Sequence, residues 1–277
     1  MRKNGKYTIA ICKGAALLGE TRTLLNHWIP GEPIDSFAKR VQEQGILGNA
    51  TAYRTRDIVR RVFYPRFLKP TDEPARILKA ILDSGLRFSA FCELLLVFAA
   101  RKDPLVYDFV VREFWPSVRR GKLYLDVDSV LSFMSEAVFD GRIQDPWSEQ
   151  VSRKVSRGIL GFIRDVGFLR EMHRGRREVI DYRMSDEGIL ILARELHEAG
   201  FHNSALCAHD NWRLFGLSEQ DLLSRMELLG HDYGLLIQRA GSVVEINWGV
   251  SSVQTLIERM SGQRDVPLSS GIQGAGG

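Results

Sequence analysis

Three cysteines in 277 residues, Cys12, Cys92 and Cys207, are odd in number and far apart, which excludes a disulfide framework. They read as small apolar residues of a reducing compartment. A long apolar run is missing too. The most apolar stretch, Phe88 to Ala100, is split by Glu93 and falls short of the roughly 20 residues a bilayer-spanning helix needs. It predicts a buried helix and no membrane partner. Residues 1–19 are basic and then briefly apolar, with Lys13 breaking the run, so the unbroken core of a secretory signal is lacking. A cytoplasmic protein is expected. Enzyme signatures are equally scarce: there is no Walker-type phosphate loop, no dinucleotide fingerprint and no nucleophile elbow. The nearest approach to a metal cluster is His197, His202, Cys207 and His209, whose spacing follows no common zinc pattern. Capping, core and surface roles are expected for those four. Asp126, Asp128 and Asp186 stand where helices should begin and predict caps rather than general acid–base chemistry. The expectation is a chain with no catalytic residue, no metal and no cofactor.

What the sequence does have is an uneven charge. The overall balance of +4 hides a basic segment and an acidic one. Residues 1–183 hold 32 Lys+Arg against 22 Asp+Glu, whereas residues 184–277 hold 6 against 12. A lopsided basic segment suits a polyanion partner.

The hydrophobic pattern is mostly helical. Helices are predicted from Thr21 to Trp28, from Asp35 to Gln44, and from an Asn49 or Thr51 cap to Tyr64, where Pro65 should end the third. Helix, short turn and basic helix give the outline of a helix-turn-helix. Helical periodicity continues from Pro74 to Asp140 with no visible chemistry. A further helix after Pro146 ends at Gly167 and leads into a short hairpin, Phe168–Met172 and Glu178–Tyr182, the arrangement of a winged helix. The arrangement recurs with a Ser218-capped helix to Leu229 and the hairpin Leu235–Gln238 / Val243–Trp248. The predicted fold is therefore mainly α, multi-helical, with helix-turn-helix or winged-helix-like modules and two short β-hairpins. The organisation expected is a helical module over 1–70, a helical core ending in a basic winged-helix-like unit over 71–183, an acidic winged-helix-like module over 184–260, and a disordered Gly/Ser/Pro tail over 261–277.

Two basic faces are candidate contacts for double-stranded DNA. On the third helix, a projection at about 100° per residue gathers Tyr53, Arg56, Arg60, Arg61 and Tyr64 opposite Ile58, Val59 and Val62, with Arg54 beside them and Asp57 the only acid among them. Guanidinium groups bond phosphate in bidentate fashion and tyrosine adds hydroxyl bonds. On the helix before the first hairpin, Arg153, Lys154, Arg157 and Arg164 lie opposite Val151, Val155 and Phe162, and the hairpin turn adds Arg174, Arg176 and Arg177. A helix in the major groove with a turn on the backbone needs basic side chains in both places. The helix after Ser218 carries Glu219, Asp221 and Glu227 against Arg225, so it should repel phosphate and suits a protein partner instead.

Five stretches carry a family resemblance. They are Tyr7-Thr8-Ile9-Ala10 with Lys13-Gly14-Ala15-Ala16-Leu17-Leu18-Gly19-Glu20-Thr21-Arg22; Gly48-Asn49-Ala50-Thr51-Ala52-Tyr53-Arg54-Thr55-Arg56; Asp103-Pro104-Leu105 with Phe114-Trp115-Pro116; Pro146-Trp147-Ser148 with Arg153-Lys154-Val155-Ser156-Arg157-Gly158; and Trp212-Arg213-Leu214-Phe215-Gly216-Leu217. In order and spacing, over roughly residues 7–260, the chain resembles the BrxA proteins of BREX bacteriophage-exclusion systems. The resemblance implies a small, mostly helical, non-enzymatic component of a multi-gene antiviral system that marks host DNA by methylation and blocks phage replication. It also implies double-stranded DNA binding and a helical fold similar to that of the antitermination factor NusB. Family members are sometimes labelled inner-membrane proteins, which the hydropathy here does not support. The family supplies no catalytic residues to carry over. The leading expectation is a DNA-binding accessory protein. The alternatives are a scaffold that docks other BREX proteins through residues 184–260, and RNA binding.

Overall fold

A computed structural model describes residues 6–13, 17–241 and 243–264. A short 3-10 segment, Ile9–Lys13, precedes α1 (Leu18–His27) and α2 (Ile34–Glu43). Helix α3 (Ala52–Asp57) begins where the Thr51 hydroxyl accepts the Arg54 N–H at 3.2 Å. It then runs without a break into a π-helical stretch, Ile58–Leu68. Helix α4 (Glu73–Asp83) and α5 (Phe88–Lys102) follow. Next come α6 (Pro104–Asp108), a second π-helical stretch (Phe109–Phe114) and α7 (Trp115–Arg119), then β1 (Tyr124–Leu125), α8 (Val127–Phe139) and α9 (Glu149–Asp165). Strands β2 (Leu169–Glu171) and β3 (Arg177–Val179) form the first hairpin. The chain continues through α10 (Asp186–Glu198), α11 (Asn203–Cys207), a 3-10 segment (Asp210–Phe215) and α12 (Glu219–Tyr233). The second hairpin, β4 (Leu235–Ala240) and β5 (Val243–Trp248), leads to α13 (Val253–Arg264).

The architecture is mainly α with two small antiparallel sheets, as the periodicity predicts. Three boundaries differ. The third helix passes Pro65 instead of stopping at Tyr64, because a π turn accommodates the missing N–H and the ring that an α turn would not. The packing of Phe63 on Phe37 and Phe67, with ring centroids 5.9 and 5.5 Å apart, holds that stretch in the core. The span from Pro74 to Asp140 is not continuous helix: β1 interrupts it, pairing Tyr124 with Glu178 and Leu125 with Arg177 to give the order β1-β3-β2. Two residues are too short a strand to impose a period-two signature. Finally, α13 extends to Arg264, past the Ser261 at which the tail was expected to start; the rest of that tail, 265–277, lies outside the described residues.

Helix α5 sits at the centre. It is buried from Ala90 through Ala100, apolar on every side, as a helix surrounded by others must be. It packs along α10, whose residues Glu187 to Leu196 are all buried. Polar side chains fasten the pair at both ends. Near the start of α5, buried Glu93 accepts the Tyr182 hydroxyl at 2.7 Å, the Ser185 N–H at 2.7 Å and the Ser185 hydroxyl at 2.5 Å. At the other end Arg101 forks onto Glu195 at 2.5 and 2.7 Å. Burial raises the Glu93 carboxyl above its ordinary range, with the three hydrogen bonds opposing it.

The Glu93 contact leaves no space beside α10. A Cβ on Gly188 would stand 1.9 Å from the Glu93 Oε2. Gly188→Ala should therefore lower stability by about 1–3 kcal/mol through overpacking, read as an earlier urea midpoint. An unchanged midpoint would mean that the Glu93 carboxylate is not held against the start of α10.

Candidate nucleic-acid interface

The basic side chains predicted to meet DNA fall into two groups, and ion pairs divide each group further. On α3 and its π-helical continuation Tyr53 is 70% exposed, and Arg56, Arg60 and Arg61 are exposed, with Arg54 half-buried. Arg60 bonds Asp35 of α2 at 2.7 Å, and Arg61 bonds Asp57 one turn back at 3.1 Å. Asp57 is thus not the sole acid available: folding brings Asp35 across from α2, a pairing that no projection of a single helix could show. Of the arginines Arg56, Arg60 and Arg61, Arg56 alone has no ion pair among the described residues.

Helix α9 is amphipathic, burying Val155, Ile159, Phe162 and Ile163, and Ser148 caps its first turn. On the solvent side Arg153 is tied to Glu149 at 2.9 Å. Arg164 bonds Asp165 at 2.6 Å and Glu171 of β2 at 3.2 Å. Arg177 of β3 reaches the same Glu171 carboxylate at 3.3 Å. Glu171 therefore links the end of the helix to both strands of the hairpin, and Arg164 and Arg177 brace the unit. Lys154, Arg157 and Arg176 are exposed and make no ion pair among the described residues. Arg174 lies in the 3-10 turn His173–Gly175, and its side chain is outside the described residues. Burial opposes it, but hydrogen bonds from Ser129 and the charges of Lys122 and Arg176 hold the Asp126 carboxyl below its ordinary range. Asp126 caps α8, accepting the Ser129 N–H at 2.9 Å, as expected for that position.

The segment Ile9–Lys13 packs against both α9 and the π-helical stretch, and Ile11 lies where a Cβ on Gly158 would approach it to 3.3 Å. The two helices also meet directly at buried Arg66, whose guanidinium lies 5.9 Å from the Phe162 ring. Burial lowers the Arg66 guanidinium below its ordinary value, with Asp103 opposing. Sequence reasoning passed over Arg66 because it follows Pro65, where the helix was expected to have ended.

The histidine and cysteine group takes mainly packing and capping roles. His197 and His202 approach at 3.1 Å between Nδ1 atoms, Cys207 is buried, and His209 accepts the Asn211 N–H while its ring meets Phe201 edge-on. Among the described residues no three His, Cys, Asp or Glu side chains are grouped to hold a metal ion. Asp186 lies in the first turn of α10 and bonds Arg225, while Ser185 provides the cap. Among the described residues no helix is long and apolar enough to cross a membrane.

Several stretches that carried the family resemblance prove to be architectural. Asp103 caps α6, Thr51 caps α3 and Ser148 caps α9. The Trp115 indole donates to the Leu214 carbonyl at 2.9 Å and lies where a Cβ on Gly216 (φ +66°) would meet it at 3.0 Å, so two of the stretches interlock. The sequence profile of one family, BrxA, matches residues 5–195. The chain belongs to the BrxA family. A BrxA-family chain is BREX-associated, which puts it in bacterial antiviral defence. The crystal structure of an uncharacterized protein from Magnetospirillum magneticum has a similar fold, with a TM-score of 0.57 at 15% identity, covering 76% of this chain and 98% of that one. No curated protein matches the sequence.

The brace at Glu171 joins side chains that are about half exposed, 41% for Arg164 and 48% for Glu171. A double-mutant cycle on Arg164→Ala and Glu171→Ala, followed by urea denaturation, should give a coupling below about 1 kcal/mol. A coupling several times larger would make the brace a determinant of folding rather than of local geometry.

Proposed function

We propose that this chain is a non-enzymatic double-stranded DNA-binding component of BREX phage defence, acting in the cytoplasm and holding the duplex mainly by its phosphates. The observation that carries this reading is the placement of three exposed basic side chains without ion pairs. Lys154 and Arg157 stand on the solvent face of α9, and Arg176 stands at the turn of the hairpin that follows it. The order β1, α8, α9, β2, β3, with β3 between the other two strands, is compatible with a winged-helix module and supports this reading. In such modules the second helix lies in the major groove and the hairpin tip reaches the backbone. The braces through Glu171 suit that role, because they fix the angle between helix and hairpin before DNA arrives. The α3 face contributes less, through Arg56 and Tyr53. Buried carboxyl groups such as Glu93 and Glu195 are used to join helices.

A second reading concerns residues 184–260. Leu228 is 81% exposed on α12, with Asp221 and Asp232 on the same face, and such a surface favours a protein partner within the same defence system over a phosphate.

Binding to duplex should weaken with salt, log K falling by about 0.9 for each phosphate neutralised, which gives a slope of about −3 for the three unpaired cations of the α9 module alone. The double reversal Lys154→Glu with Arg157→Glu should reduce affinity at least tenfold at low salt in fluorescence anisotropy. Arg213→Glu with Arg239→Glu, on the acidic third, should leave it within about twofold. Glu171→Gln, which removes the brace between helix and hairpin while Arg164 keeps Asp165, should weaken binding a few-fold by loosening that angle. Equal losses from the two double reversals would sink this assignment, as would the absence of duplex binding at low salt.

A further inference from the structure

The stretch Arg119-Arg120-Gly121-Lys122 joins α7 to β1 and has no part in the interface described so far. Backbone hydrogen bonds fix its shape. The Gly121 N–H donates to the Val118 carbonyl at 2.9 Å and the Lys122 N–H to the Ser117 carbonyl at 3.0 Å, with Gly121 at φ +79°. This paired closure of a helix end requires the left-handed conformation at its glycine. Arg119, Arg120 and Lys122 are all exposed and make no ion pair among the described residues. Arg120 donates to the Ser117 hydroxyl at 3.0 Å, and Lys122 to the Ser129 hydroxyl at 2.9 Å.

Strand β1 carries this turn to the hairpin. Side chains alternate along a strand, so Lys122, Tyr124 and Asp126 share one face, where Tyr124 is 42% exposed. The pairing of Tyr124 with Glu178 and of Leu125 with Arg177, continued one step, sets Asp126 opposite Arg176. The Lys122 ammonium reaches the same carboxylate through the Ser129 hydroxyl, which donates to Asp126 at 2.8 Å. Lys122 and Arg176, from two separate turns, therefore converge on the start of α8. Asp126 already fills the cap of that helix, so the cations, and not the helix end, are what an anion would meet.

The balance of charge favours an anion. Residues 119–126 and 169–183 hold eight Lys+Arg against four Asp+Glu, the reverse of the ratio in the acidic third. Of those four acids Asp126 is the cap, Glu171 and Glu178 are bonded to arginines, and Asp181 is exposed, as is Asp128 just beyond β1. Ammonium, guanidinium and tyrosine hydroxyl groups are the donors that phosphate contacts use. In helix-turn-helix modules the first helix crosses the backbone of the duplex while the second enters the groove, and α8 and α9 stand in those places. We infer that the α7–β1 turn, with Tyr124, is a second phosphate contact for the duplex held by α9, made where α8 crosses the backbone. This rests on the DNA-binding reading and extends its footprint from Arg176 to Arg119.

Cations at the end of a helix also offset its dipole, so the test follows stability beside affinity. It uses the full chain and a labelled duplex. Arg119→Gln with Lys122→Gln should weaken binding by about fivefold at low salt and make the salt slope shallower by about 2, with the urea midpoint unchanged. Arg213→Gln with Arg239→Gln removes the same charge elsewhere and should leave affinity within about twofold and the slope unaltered. In an otherwise unchanged chain, a photoreactive phenylalanine analogue replacing Tyr124 should crosslink to the duplex, and unlabelled duplex should compete it away. Equal losses from the two pairs, no crosslink, or preferential crosslinking to single-stranded DNA would each overturn the inference. A lower urea midpoint with an unaltered slope would also overturn it, leaving the turn as a helix cap. If Lys154→Glu with Arg157→Glu weakens duplex binding while the turn variant does not, this inference alone fails; if the unaltered chain binds no duplex, the DNA-binding reading fails first.

Discussion

The pairing of α5 with α10 is the constraint on which the remaining elements depend. Both helices are almost wholly buried, so neither can be displaced without opening the core. Apolar contact alone would allow two such helices to slide, because it has no direction. Glu93 at one end and Arg101 at the other remove that freedom by hydrogen bonds of fixed geometry. The burial of Glu93 is unfavourable by itself, and three donors offset it. One of these is the Tyr182 hydroxyl, so the strut reaches the segment that follows the first hairpin. From there Tyr182 meets Phe168, just before β2, with ring centroids 4.5 Å apart. The position of the basic hairpin is thus set, through two aromatic rings, by a carboxylate in the centre of the protein.

Charge on the surface then acts in two different ways. Where a basic side chain lies within reach of an acid from a neighbouring element, the pair fixes geometry: Arg60 with Asp35, and Arg164 and Arg177 with Glu171. Lys154, Arg157 and Arg176 form no such pair among the described residues, although Arg176 still feels the charge of Asp126. The first kind is worth little in stability at half-exposed positions, yet it limits how far the hairpin can swing relative to α9. The candidate interface therefore divides into side chains held by ion pairs and a smaller set without them.

Helix identity was legible in the sequence wherever an amphipathic stripe and a side-chain cap agreed, as at α8, α9 and α12. The second hairpin was equally clear, its strands alternating around Ala240-Gly241 and observed from Leu235 to Trp248. Three features were not legible, each for a physical reason. Strand β1 has two residues and exists because β3 offers it an edge. Pro65 stops an α-helix but not the π turn that the core imposes. The ion pairs of Arg60 and Arg164 join residues on different elements, so no projection of a single helix contains them. The basic face of α9 was visible because its pattern is local; which of its cations are engaged was not, because that is a tertiary property.

The same distinction separates the family's motifs from its working surface. The stretches by which the chain resembles BrxA proteins include caps, a tryptophan–glycine contact and an N-terminal segment laid along α9. Selection for a shape would preserve such residues, since each has one partner and one geometry. A phosphate-binding face needs only cations within reach of a regular backbone, and many arrangements of Lys and Arg meet that need. Helix α9 is where these demands meet: its buried stripe belongs to the core, and its solvent face is the one proposed to meet an anion. A helix that serves both a core and a solvent face must be held rigidly, which is the service that the central pair α5 and α10 performs.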